Sequence, residues 1–151
     1  MGELERIRDQ FERSFKRESW HGPSVLEVLE GITADQAAAR PIRDAHSIWE
    51  ITLHMVTWKS VVARRVRGEV VVNIPEDENF PPAGKGPAEW AAAVERLEAA
   101  HADLLAALGT LREDQLDQPP YPKASSRYVQ LHGAIQHDLY HAGQIAVLKK
   151  G

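Results

Sequence analysis

The chain has no cysteine in its 151 residues, which removes disulfides, thiolate ligands and a cysteine nucleophile together. Any metal it holds must be bound by histidine and carboxylate. No run approaches the ~18 apolar residues needed to cross a bilayer, so no membrane association is expected. Basic charge is not in excess either. Eighteen Lys and Arg face 22 Asp and Glu, for a net charge of -4, and the two signs are interspersed. Without a basic stripe to displace counterions from phosphates, nucleic acid is not expected as a partner. The segment 1–17 carries Glu3, Glu5, Asp9 and Glu12, which argues against a secretory signal or transit peptide and makes a cytoplasmic setting the expectation. Self-similar repeats and low-complexity tracts are also missing.

The composition that remains, 43% hydrophobic and 26% charged, is that of an ordinary globular chain. Its length suits one domain over 1–151 with its own core. Leu4, Ile7, Phe11 and Phe15 recur at spacings of three and four, which predicts an amphipathic first helix. Gly22-Pro23 interrupts it, and Ser24 is placed to cap a second piece over 25–30. Thr33 with Gln36 has the form of a capping box, and Pro41 closes the short helix that follows. Ser47 with Glu50 is a second such box. It opens a helix whose stripe runs Ile48, Ile51, Met55, Trp58, Val62 and Val66, with Gly68 near its stop.

Residues 68–86 contain Pro75, Pro81, Pro82 and several glycines, too long a connection for adjacent bundle helices, so they form a crossover or a lid. Val70-Val71-Val72-Asn73-Ile74 within it is β-prone enough for a short strand. Pro87 suits the start of a third long helix with the stripe Trp90, Val94, Leu97, His101, Leu104 and Leu108. Ser125 or Ser126 opens the last. Four amphipathic helices without a convincing sheet predict an all-α bundle with the long crossover between the second and third main helices.

His137-Asp138-Leu139-Tyr140-His141 carries the chemistry. On an α-helix successive residues advance by about 100°, so an i, i+4 pair shares one face and can grip one divalent ion. These two rings share their face with Ala134, Ile145 and Leu148, which points them inward. Two buried imidazoles need partners for their ring nitrogens; a cation meets that need, and so does a hydrogen-bonded pair without one. His54, in the second long helix, can turn inward to make a third donor. Glu50, one turn before it, is the candidate general base, although its place in the Ser47 box already accounts for it. His101 on an apolar stripe reads as a core histidine, and Glu76, Asp77 and Glu78 as a solvated acidic loop. Asp138 stands where a zincin has its glutamate, one methylene short, which disfavours a metalloprotease. The two Glu-x-x-His motifs of a di-iron bundle do not occur.

Trp20-His21-Gly22-Pro23, Ala39-Arg40-Pro41, His46-Ser47-Ile48-Trp49-Glu50 leading to His54, and the terminal Gln136-His137-Asp138-Leu139-Tyr140-His141-Ala142-Gly143-Gln144-Ile145 together resemble the DinB/YfiT-like superfamily over nearly the whole chain. The terminal block is the specific part. The resemblance implies a four-helix bundle with a long crossover, a divalent metal on His54, His137 and His141, and a homodimer. Some members are thiol-dependent, as transferases using bacillithiol or an isomerase using mycothiol; others are regarded as metal-dependent hydrolases.

Three imidazoles leave a divalent ion with open positions, and the ion can bring a water or thiol to nucleophilic form near neutral pH. Imidazole ligation suits zinc or nickel, and admits iron, cobalt or manganese. Water attack on a small-molecule substrate makes a hydrolase. A low-molecular-weight thiol makes an S-transferase, and that thiol must be diffusible because the chain has no cysteine. The alternative is a non-catalytic bundle in which the ion ties helices together or senses a ligand.

Overall fold

The computed structural model describes residues 1–151 and is entirely helical. Four long helices form the bundle: α1 (Glu3–Phe15), α4 (Ile48–Val66), α6 (Gly86–Leu108) and α7 (Arg127–Leu148). Three short ones, α2 (Val25–Leu29), α3 (Ala34–Ala38) and α5 (Glu76–Asn79), sit in the connections. α4 packs most extensively, against α6 and α7, and α1 completes the ring against α7 and α6.

Local chemistry sets the helix starts. The Thr33 hydroxyl accepts from the Gln36 amide at 3.2 Å, and the Gln36 side chain accepts from the Thr33 amide at 2.9 Å. Ser47 and Glu50 repeat the exchange at 3.1 and 3.2 Å. Ser126 caps α7 through the Val129 amide. Each such cap contributes about 1 kcal/mol. Gly68, at φ +95°, provides the left-handed residue that turns the chain out of α4.

The core is split. One apolar cluster includes Phe15, Met55, Leu97 and Ile145; the other includes Phe11, Val62, Leu104 and Leu131. Between them, one each from α4, α6 and α7, lie Lys59, His101 and Asp138, all buried. Lys59 Nζ is 2.6 Å from Asp138 Oδ2 and 3.3 Å from His101 Nδ1, and it sits 4.7 Å from the centre of the Phe15 ring. A polar layer therefore crosses the middle of the bundle.

The crossover between α4 and α6 differs from expectation at one place. Residues 70–74 form no strand, because no second strand lies alongside to complete a ladder. Val71 is buried while Val70 and Val72 are exposed, so the alternation of a strand survives. Its carbonyl is satisfied by side chains instead, Arg65 Nε and Tyr121 Oη, each donating at 2.9 Å. Beyond it, α5 docks on α4: Trp58 Nε1 donates to Asn79 Oδ1 at 2.8 Å and Thr57 Oγ1 to the Glu78 carbonyl at 2.7 Å. The crossover is thus also a cover over this side of α4. No helix is long and apolar enough to cross a membrane.

Candidate metal centre

The structure brings His54, His137 and His141 together. Nε2 of His137 lies 3.0 Å from Nε2 of His54 and 3.1 Å from Nε2 of His141. The donor atoms of all three fall within 4.8 Å of one another, and no Cys, Asp, Glu or fourth His joins them. α4 presents His54 and α7 presents the other two from consecutive turns, an outcome of the i, i+4 spacing and of the packing of α4 against α7.

The remaining ring nitrogens explain the chemistry of the cluster. His54 Nδ1 is 2.7 Å from the Asn79 carbonyl oxygen, and His141 Nδ1 is 2.6 Å from Gln144 Oε1. Carbonyl oxygens only accept, so both Nδ1 atoms carry protons and both Nε2 atoms present lone pairs. Both lone pairs face His137 Nε2, whose one proton can serve only one of them. A cation among the three satisfies every lone pair at once. Two imidazole nitrogens bound to one ion at ~2.0–2.1 Å lie ~2.9–3.4 Å apart, the range in which two of the three pairs already sit. The three histidines therefore fit a divalent ion, with acceptors for two of their outer N–H groups in place.

Electrostatics agree. Burial is the largest influence on each ring. It lowers the pKa of His54, partly offset by the Asn79 carbonyl. His137 falls to about 3, through burial and then the neighbouring His141 and His54. His141 falls to about 4, through burial against the opposing effect of Gln144. All three rings are neutral at pH 7, the state in which imidazole binds metal.

Two hollows flank the cluster. The larger, about 650 Å³, is lined by His141, His46, Phe80 and Tyr140 among others and has a mostly apolar wall. The smaller, about 260 Å³, is bordered by His137, Trp58, Lys59 and Asp138. Tyr140 borders the first of these hollows and Trp58 the second.

The other histidines and acids do not join the three rings. His101 is a core residue stacked on Phe15 at 3.8 Å, and burial lowers its pKa to about 2. His21 is exposed, and His132 lies against Tyr128. Glu76, Asp77 and Glu78 stay exposed in the first turn of α5. Glu50 is engaged: Arg40 Nη2 bonds both carboxylate oxygens at 2.7 and 2.8 Å, the Ser47 amide bonds Oε1, and His46 Nδ1 lies 2.9 Å from Oε2. Sequence reasoning missed Asn79, Phe80 and Gln144. Phe80 stacks on His54, with ring centroids 3.9 Å apart and planes 4° apart. Gln144 alone had a readable signal, three residues after His141 on the same helical face.

A model of the DinB superfamily matches residues 17–145. Two solved structures share the fold. One, described as the conserved protein of locus from Enterococcus faecalis, has a TM-score of 0.69 and 16% identity, covering 99% of this chain and 96% of that one. The other is the colibactin self-resistance protein ClbS in complex with a dsDNA, also with a TM-score of 0.69, at 15% identity, covering 98% of this chain and 96% of that one. At such identities the likeness concerns the fold. No curated protein matches the sequence significantly. The ClbS complex overturns the exclusion of nucleic acid drawn above from charge. Net charge averages over the entire surface, whereas a duplex meets one face and responds to the cations there.

Proposed function

The chain belongs to the DinB superfamily, and from that premise we propose that it binds a divalent metal ion through His54, His137 and His141 and uses it to activate a nucleophile beside the larger hollow. The observation that carries this reading is the meeting of three Nε2 atoms, two of them deprotonated by the hydrogen bonds on their outer nitrogens. With three protein donors and no fourth ligating side chain, a bound ion would be left an open position, the mark of a catalytic site as opposed to a structural one. Bound there, a divalent ion supplies Lewis acidity, bringing water or a thiol toward a pKa of ~7.

The protein's own residues do the rest. Asn79 and Gln144 hold two rings in the tautomer that binds metal. Phe80, stacked on His54, and the docked crossover shield one side of the cluster from water. The larger hollow receives the electrophile. A hydrolase results if water attacks, and an S-transferase if a diffusible low-molecular-weight thiol does. Zinc and nickel suit an all-imidazole set best.

Metal analysis of protein purified without an affinity tag tests the reading. Near-stoichiometric zinc or nickel is expected in the native protein, with loss in the His137→Ala, His141→Ala double variant. Retention of the ion by that variant overturns the ligand set. Incubation of the loaded protein with a panel of thiols and electrophiles then separates hydrolase from transferase.

A second reading takes a nucleic acid as partner, favoured by the duplex held by ClbS on the same fold. A mobility-shift titration with labelled duplex at two salt concentrations decides it, since binding through phosphates weakens steeply with salt. No shift at low salt removes it.

A further inference from the structure

A second polar assembly stands beside the histidine cluster and has no part in holding a metal. His46 precedes α4, and its Nδ1 lies 2.9 Å from Glu50 Oε2. Glu50 is itself fixed by Arg40 on both oxygens and by the Ser47 amide. Burial raises the Glu50 carboxyl, but the hydrogen bonds from His46 and Ser47 and the Arg40 charge outweigh it and hold the group below its usual range. An ionised carboxylate can only accept, so His46 Nδ1 carries a proton, and in the neutral ring that places the lone pair on Nε2.

The ring is also fixed in orientation. His46 stacks on Phe80 with centroids 3.7 Å apart and planes 6° apart, and the other face of Phe80 is taken by His54. Held at its Nδ1 edge and on one face, His46 borders the same 650 Å³ hollow as His141. A carboxylate that orients an imidazole at the edge of a cavity, with no hydrogen bond on the far nitrogen, is the arrangement of a general base and its orienting group.

We propose that His46 is the acid–base residue of this site, acting through Nε2 on a neutral ester or thioester of apolar body, with Glu50 and Arg40 as positioning residues. This rests on the metal reading for activation of the nucleophile. As water attacks the acyl carbon, its oxygen–carbon bond forms and Nε2 takes its proton. The bond from the acyl carbon to the leaving oxygen or sulfur then breaks, and the proton passes from Nε2 to that atom. His46 ends neutral, its Nδ1 proton undisturbed. Ile42, Ile51, Tyr140, Val147 and Leu148 supply the apolar wall, which favours an uncharged acyl body over an anion.

Two measurements test this. Long-range nitrogen–proton spectra of the metal-free protein should show His46 protonated on Nδ1 and bare at Nε2, and Glu50→Ala should mix the two tautomers. In zinc-loaded protein, His46→Gln should lower kcat for p-nitrophenyl acetate by about 100-fold or more at unchanged zinc content, and added imidazole should restore part of the rate to His46→Gly. A His46 ring protonated on Nε2, or full turnover by His46→Gln, overturns the assignment. Bound zinc without turnover in the native protein also overturns it and leaves the metal centre standing. Failure of the native protein to bind any divalent ion removes the metal centre, and with it the catalytic role of His46, while the tautomer in metal-free protein still reports whether the dyad exists.

Discussion

Lys59 Nζ lies 2.6 Å from Asp138 Oδ2, and the two side chains are 2% and 1% exposed. Burial pushes the Asp138 carboxyl up, and the Lys59 charge works against that. Asp138 Oδ1 and His101 Nε2 have no hydrogen-bond partner, so the layer is incompletely satisfied. Removing one charge strands the other in the core. Lys59→Met is therefore expected to lower stability by ~3–5 kcal/mol. The double variant Lys59→Met, Asp138→Leu should recover much of the loss, because the desolvation cost disappears with both charges. Urea unfolding of the two singles and the double checks this; additive losses would contradict it.

Gln144 offers a test of the candidate metal centre. Gln144→Leu removes the acceptor for His141 Nδ1 and frees the ring to rotate and change tautomer. Zinc affinity should fall by about 10- to 100-fold, read by competition with a chromophoric chelator. Gln144→Glu keeps an acceptor and should retain native affinity or exceed it. Equal affinity in Gln144→Leu would show that packing alone holds the ring.

The metal-free protein should lose stability as pH falls from about 6.5. The folded rings of His137 and His141 take protons only near about 3 and 4, whereas in the unfolded chain they do so near the ordinary 6.5. Between those limits the unfolded state binds more protons, so stability is complete above about 6.5 and declines toward pH 3–4. The cost is ~1.4 kcal/mol for each tenfold difference in proton affinity, reduced by the partial exposure of the rings. His54 and His101 act in the same direction. Thermal melts across this window, repeated with His137→Ala, should show a shallower slope in the variant.

Gly143 lies inside α7 at the edge of the larger hollow, and a Cβ there would meet nothing within 4 Å. Gly143→Ala should then stabilise the helix by about 0.5–1 kcal/mol, or a few degrees in Tm for a chain of this size. Gly143→Leu should narrow the hollow and weaken uptake of an apolar probe without loss of metal. A destabilising Gly143→Ala would mean that the helix tolerates no side chain there.

Legibility followed the range of the interactions. The Thr33 and Ser47 boxes, the stripes of α4 and α6, and the His137–His141 face are local patterns, and the structure contains each of them. Residues 70–74 read as β because Val and Ile favour extended backbone, but a strand needs a neighbour that local sequence does not announce. Asn79 reaches His54 through a main-chain carbonyl, which any residue type could provide. Lys59 and Asp138 are 79 positions apart, yet a trace existed: Lys59 falls between Met55 and Val62 on the apolar stripe of α4, a place where a lysine needs a buried partner. The nucleic-acid exclusion failed for a different reason: charges interspersed along the chain do not tell which of them the fold gathers on one face.

The lysine–aspartate contact at the waist of the bundle also has a mechanical meaning. Lys59 follows His54 by five residues, and Asp138 is wedged between His137 and His141. A slip of α7 by a single residue along α4, a step of ~1.5 Å, would pull this short contact apart and carry two of the imidazoles away from the third. The pair acts as a locating pin that aligns the two rods, so an ion held by the three rings would ask for little rearrangement of the scaffold.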